Sequence, residues 1–509
     1  MSEATNSPGS AGVSVTESST RLSGNLGTTS LVLGVLAFSA PIVTVSGYIA
    51  FAIGFVGNSA PLAWVIATVA LFIFAVGYTT MTRHIHRPGA FYAYISLGLG
   101  RVLGVGGAYL AAVSYMLIGV GIYAFSGVMA SAAIDHLGGP SFPWWACTAG
   151  CWVLITILGH FQIELSAKVL GTVMVLEIIL VGIFNLFVLA KGGQSGLSTA
   201  PLNAGHFFNG GTGLALLFAF GNFIGFEATA LYRDEVRRPS KTIPRATYLA
   251  VLLIGGFYAV SAYALIVAYG SGAAERAVKD PTTMFDHAMA LYVSSNLATL
   301  TLVLVSTSAL AAVLSTHNVV ARYLQNLGAD HALPAWLATV HPQHKSPYRS
   351  SLANSVIIGV LIILAVLFVP DQNKIIGAGS GIGTAGVLVL MALVSLAVWR
   401  YFATTGRPAG ETAWRVTIAP LIAFALLAAV VVFAVIRFDL LVGGAPGQNL
   451  WMLLVLIAFL AAGSGVAYYM KRNRPDLYAM LGRAEGDDVD TDPTGEAQSE
   501  AELEATGSA

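Results

Sequence analysis

The chain has little charge. Only 10% of its 509 residues are Asp, Glu, Lys or Arg, against about 25% in an ordinary soluble domain. So few ions cannot cover the surface of a water-facing protein this long, which excludes a conventional soluble globule. The ions present cancel, 25 basic against 25 acidic. With no basic excess to neutralise phosphates, nucleic acid is excluded as an expected partner. Cysteine is nearly missing. Cys147 and Cys151 lie four apart in an apolar stretch, a spacing that stacks them on one helix face as small buried side chains rather than a disulfide or metal site. There is no CxxC pair, no GxxxxGK[ST] and no HExxH, and the His residues lack ligand spacing, so no metal and no cofactor is expected. No basic segment precedes a short apolar core with a cleavage site, so no signal peptide is expected.

What is present is apolar: 56% of the chain. A helix needs about 20 apolar residues to cross the hydrocarbon core. Runs meeting this cover 29–56, 62–82, 102–132, 143–160, 167–190, 212–232, 245–269, 297–320, 351–369, 377–400, 414–436 and 450–470. The expected fold is all-α and integral to a membrane, with 12 transmembrane helices. Placing the N-terminus inside puts 20 of the 25 Lys and Arg on that side. The outside then holds only Lys191, Arg276, Lys279, Lys374 and Arg437, the asymmetry of a protein with both termini cytosolic. The expected location is the cell membrane. Residues 1–25 and the acidic 475–509 read as disordered cytosolic tails.

Irregular backbone at membrane depth survives only where protein or a wet cavity satisfies it. Span 1 carries Ser39 to Gly47 (SAPIVTVSG), and span 6 carries Phe220 to Gly225 (FGNFIG). These are corresponding positions if five helices repeat as five, the pattern of a transporter site built on discontinuous helices. The glycine-rich Gly377 to Gly383 in span 10 is read as close helix packing. Two carboxylates lie deep within spans, Glu177 and Glu227. Ionisable groups in such places are costly and usually functional. Removal from water favours the neutral carboxyl, so either could gain and lose a proton as a cavity opens; either could instead simply satisfy the amides of a broken helix. Ser306, Thr307 and Ser308 in span 8 are candidates for a cation site, unless their hydroxyls bond back to their own helix. Tyr115 and Tyr123, eight apart in span 3, are candidates for a cavity wall.

The stretch GNFIGFEATALYRDEVRRPSKTIPRA, Gly221 to Ala246, resembles the sixth-helix signature of the amino acid–polyamine–organocation superfamily. RHIHRPGAFYAYISLGLGR (Arg83 to Arg101) resembles its second cytosolic segment. HNVVARYLQNLGADHALP (His317 to Pro334), with Ser346 and Pro347 beyond, resembles its post-helix-8 loop. The resemblance implies a ten-helix, five-plus-five inverted repeat of the leucine-transporter type over residues 26–400; helices 11 and 12, over 401–474, and both tails carry no resemblance of their own. It implies a substrate carboxylate on the amides of Thr44, Val45, Ser46 and Gly47. It also implies an amine on the carbonyls of Phe220, Gly221, Asn222, Phe223 and Ile224, up to the hinge at Gly225. Exposed amides at a helix N-terminus attract an anion and freed carbonyls a cation. The chain departs from the family at Gly221, where an aromatic gate residue is usual and Phe220 or Phe223 would take its place. It departs again at Glu177, where proton-coupled relatives carry Lys, and at VSG in span 1, where glycine–serine–glycine is usual.

The expected function is therefore not enzymatic. It is secondary active transport of a small amino acid or related amine across the lipid bilayer by proton-coupled symport. A substrate–product exchanger and a sodium-driven symporter are the alternatives on the same fold, and a membrane-embedded sensor or enzyme is the remote one.

Overall fold

The computed structural model describes residues 27–84, 91–161, 167–230, 236, 238–341, 346–443, 445 and 447–481. Residues 1–25, the chain beyond 481, and parts of two of the family-like stretches (85–90, 231–235 and 237) lie outside the described residues.

The first segment is α1 (Thr28–Phe38), interrupted at Ser39 and Ala40, then α2 (Pro41–Val43), a π-helical turn (Thr44–Tyr48) and α3 (Ile49–Val56). It is followed by α4 (Pro61–His84), the short α5 (Phe91–Leu99), the long α6 (Arg101–His136), α7 (Trp144–His160) and α8 (Ala167–Lys191). After α9 (Ala204–Phe207), the half-length α10 (Thr212–Gly221) runs into a turn and a 3₁₀ segment, Phe226–Ala230. Next come α11 (Pro239–Tyr269), two short helices α12 (Ala273–Lys279) and α13 (Met284–Tyr292), then α14 (Ser295–Ala329). The chain continues with α15 (Tyr348–Phe368), α16 (Gln372–Thr405), α17 (Ala419–Ile436), α18 (Asp439–Val442), α19 (Trp451–Asn473) and α20 (Pro475–Met480).

Ten helical stretches among the described residues are long and apolar enough to cross a bilayer, and α7 and α10 are shorter apolar helices. The protein is a multi-pass membrane protein. Large apolar side chains face outward along its length, for example Leu186, Phe187, Leu252, Ile363 and Phe433, as expected where the surrounding medium is lipid rather than water.

Polar contacts fasten the two ends of the bundle. At one end Glu411 accepts from Arg83 at 3.0 Å and pairs with Arg415 at 3.3 Å. The Tyr92 hydroxyl donates to Asp330 at 2.7 Å, and the Arg101 guanidinium donates to the Tyr478 carbonyl at 3.3 Å. At the other end Lys191 donates to the Tyr292 carbonyl, and the ring of His136 meets Thr299. Between the ends, α6 packs against α16 through glycines. A Cβ on Gly379 would lie 2.8 Å from the Gly121 amide nitrogen, and one on Gly383 2.5 Å from the Ser114 carbonyl oxygen. The span 10 glycines thus do what close packing requires.

The tail expected from Pro475 begins as α20, with Leu481 buried against α6 and α14. Leu477, Tyr478 and Leu481 give this stretch an apolar side, and the acidic run starts only beyond it.

Candidate functional site

The break in the first segment follows from Pro41. Proline has no N–H for the Ala37 carbonyl, and its ring disfavours the right-handed helical region for the preceding residue. Ala40 accordingly turns left-handed, with φ 43°. The carbonyl of Ser39, released from the helix, accepts from the Tyr258 hydroxyl of α11 at 3.2 Å and from the Thr44 hydroxyl at 3.3 Å. The first free amide beyond the proline is that of Ile42, and it donates to the carboxylate of Glu177 on α8 at 3.3 Å. Glu177 is 2% exposed, with Ser308 of α14 beside it. A carboxylate at the N-terminus of a half-helix meets both an orphan donor and the positive end of the dipole.

The second break lies where α10 ends at Gly221. The following amides reach back three residues instead of four: Phe223 to Phe220 at 3.1 Å, Ile224 to Gly221 at 3.3 Å. Gly225 then takes φ 112°, a conformation that glycine adopts without a side-chain penalty. Its amide donates to the Glu227 carboxylate at 2.9 Å. The Tyr115 hydroxyl of α6 donates to the other carboxylate oxygen at 2.8 Å, and the Tyr78 hydroxyl to the Glu227 carbonyl at 2.7 Å. Each of the two intramembrane carboxylates therefore serves one broken helix.

Between the breaks lies a small cavity of about 80 Å³. Ser39, Ala40, Val43, Thr44 and Tyr48 form one wall and Leu217, Phe218, Gly221, Asn222 and Ile224 the opposite one. Helices α6, α14 and α16 close it with Tyr115, Ile118, Ile122, Ala312, Thr316, Ser380, Gly381 and Thr384. Across one side the Tyr48 hydroxyl meets the Ser380 hydroxyl at 3.0 Å. Phe218 lies against Tyr48 and stacks on Phe51 at 5.4 Å.

Of the residues proposed from the sequence for substrate, Thr44, Tyr115, Gly221, Asn222 and Ile224 line this cavity. Val45, Ser46, Gly47, Phe220, Phe223 and Gly225 are not among its lining residues; a Cβ on Gly47 would instead meet the Phe125 ring at 2.7 Å. Within the expected break, Ser39 to Gly47, the helix opens at Ser39 and Ala40, while Thr44–Tyr48 forms a π-helical turn, so its amides stay within the helix. Neither Phe220 nor Phe223 faces the cavity. Phe218 does, because it shares a helix face with Gly221 and Asn222 at three and four residues. Tyr123 is buried but not in the wall. In span 8, Ser306 and Thr307 bond back to the carbonyls of Leu302 and Val303; only Ser308 is buried toward Glu177, so the three hydroxyls do not converge. Tyr48, Tyr258, Thr316, Ser380 and Thr384 had no distinguishing pattern in the sequence. For Ser39 and Ala40 the signal was the proline that follows.

The chain is similar to known transport proteins. A family profile described as Amino acid permease matches residues 22–461. The chain belongs to that family. An uncharacterised transporter of Mycobacterium tuberculosis (strain H37Rv) is 26% identical over 359 residues, 69% of this chain and 74% of the relative. The low-affinity putrescine importer PlaP of Escherichia coli (strain K12) is 22% identical over 358 residues, 69% of this chain and 75% of its own. A second M. tuberculosis transporter is 26% identical over 261 residues, 45% of this chain and 52% of the relative. An amino acid permease with a cavity between two interrupted helices is a membrane transporter of small solutes.

Proposed function

We propose that this permease imports a small amino acid or related amine by alternating access, coupled to protons. The putrescine importer among its relatives keeps the amine reading alongside the amino acid one. On this reading twelve helices cross the cell membrane with both termini in the cytosol, and the first ten form a five-plus-five inverted repeat.

The observation that carries the proposal is Glu177 seated on the Ile42 amide. A buried carboxylate holds the half-helix that walls the cavity, so its charge is tied to the position of that wall. Ionised, it is a strong acceptor for the amide and favours the half-helix in the position seen here. Protonated, it is a weaker acceptor and no longer complements the helix dipole. A proton arriving at Glu177 therefore loosens the wall, and a proton leaving tightens it. Glu227, held by both Tyr115 and Gly225, is the second candidate and keeps the other break in shape.

Purified protein in proteoliposomes, with an inward proton gradient and a panel of labelled amino acids and amines, tests this. Concentrative uptake that collapses with a protonophore is expected. Uptake that needs sodium, or exchange that ignores pH on both sides, would move the assignment to a sodium symporter or an exchanger.

A further inference from the structure

The cavity has an electrostatic character that narrows the solute, granted the reading above that a transported solute binds there. Among the described residues that line it, none carries a carboxylate, an ammonium, a guanidinium or an imidazole. Its polar side chains are neutral: chiefly Thr44, Tyr48, Asn222, Thr316, Ser380 and Thr384. Glu177 and Glu227 lie just behind the walls, but each is engaged with a backbone amide, and Glu227 with Tyr115 as well. The broken helices can serve one anionic and one cationic group with amides and carbonyls. A charged side chain on an amino acid, or the second ammonium of a diamine, would lose its water and find no opposite charge.

Part of the cavity wall is made of small groups. Thr384 of α16 faces Gly221 so closely that a Cβ on the glycine would lie 2.8 Å from the Thr384 hydroxyl oxygen. Nearby, the Ser380 hydroxyl is tied to Tyr48. An uncharged side chain that fills limited space, or accepts and donates hydrogen bonds, fits beside such a wall.

We propose that the solute is an amino acid with an uncharged side chain, and that Thr384 determines this specificity. Diamines, basic amino acids and acidic amino acids are excluded by the lack of a counter-charge. Placing a carboxylate at position 384 supplies one for a cation.

Counterflow into proteoliposomes tests this with alanine, serine, glutamine, leucine, lysine, glutamate and putrescine as the internal solute in turn. For the wild-type chain at least one neutral amino acid is expected to exchange tenfold or more faster than lysine, glutamate or putrescine. Thr384→Asp is expected to reverse the preference toward lysine or putrescine, with Thr384→Asn, similar in size and uncharged, keeping the neutral preference. Wild-type exchange of a charged solute as fast as the best neutral one overturns this inference and leaves the transporter reading standing. No exchange of any of the seven overturns both. If Thr384→Asp fails to fold, a thermal shift of the wild-type protein with each solute still decides: stabilisation by putrescine or lysine equal to that by the neutral amino acids sinks the proposal.

Discussion

The Glu177 carboxylate and the Ile42 amide meet at 3.3 Å although 135 residues separate them in the chain. One member is the intramembrane acid of α8. The other is the first amide after the proline that breaks the opening helix. Replacing Glu177 by Gln keeps an acceptor for the amide but removes the titration. Solute binding should persist in Glu177→Gln while pH-driven accumulation disappears. Glu177→Leu should in addition cost about 1–3 kcal/mol of stability, the penalty for a buried donor without a partner. Thermal denaturation and proteoliposome uptake separate the two effects; pH-driven accumulation by the Gln variant would remove Glu177 from the coupling.

The Tyr115–Glu227 hydrogen bond should be worth roughly 1.5–3 kcal/mol if the acid is ionised and about 1 kcal/mol if it is neutral. A double-mutant cycle of Tyr115→Phe and Glu227→Gln in thermal unfolding measures the coupling. A coupling energy near zero would mean that the two groups are adjacent without interacting.

Ala40 pays for the break with a left-handed backbone. Ala40→Gly should unfold at the same temperature as the parent or slightly higher, because relief of about 1–2 kcal/mol of strain is partly offset by glycine's greater freedom in the unfolded chain. Ala40→Val, β-branched in the same conformation, should be clearly destabilised. Equal melting of the valine variant would refute the strained backbone at this position.

Gly221 and Thr384 should behave as a pair. Gly221→Ala places its methyl 2.8 Å from the Thr384 hydroxyl oxygen and should impair uptake, while Gly221→Ala with Thr384→Ala should recover much of it. Absence of rescue would indicate that the glycine is needed for its backbone rather than for space.

Asp286 of the short α13, outside the membrane-spanning helices, is half-buried, with one carboxylate oxygen lacking a partner. Burial pushes its pKa up to about 6, against the pull of its own and the His287 amides and of the Arg276 and His136 charges. Arg276 itself is paired with Asp280 at 3.3 Å. The folded state therefore holds this proton more tightly than the unfolded chain. The resulting stability is complete below pH 4 and is lost as pH rises toward 6, on the order of 2–3 kcal/mol. Asp286→Asn should flatten that part of the pH–stability curve, and a curve unchanged by the substitution would contradict it.

Much of this fold could be read in the sequence because lipid imposes one rule on every helix. The predicted run 102–132 became Arg101–His136, and 377–400 became Gln372–Thr405. The second break was equally legible, since two glycines around Asn222 leave the helix little choice. The first lies at the start of the stretch expected for it, Ser39 to Gly47, where Pro41 breaks the helix; Gly47 at the other end admits Phe125. Cavity walls from α6, α14 and α16 were not legible. Nothing in the local sequence of Thr316 or Thr384 reveals which way a residue faces in a bundle that is apolar on every side.

The backbone contact between α6 and α16 has a mechanical consequence. Two helices whose glycines touch cannot slide or roll against each other without their main chains colliding, so this pair is a stator. The broken segments are also held across the cavity by side-chain hydrogen bonds such as Tyr48 to Ser380 and Tyr115 to Glu227, which water or solute can replace one at a time. On the transport reading proposed above, these exchangeable latches are where alternating access would begin.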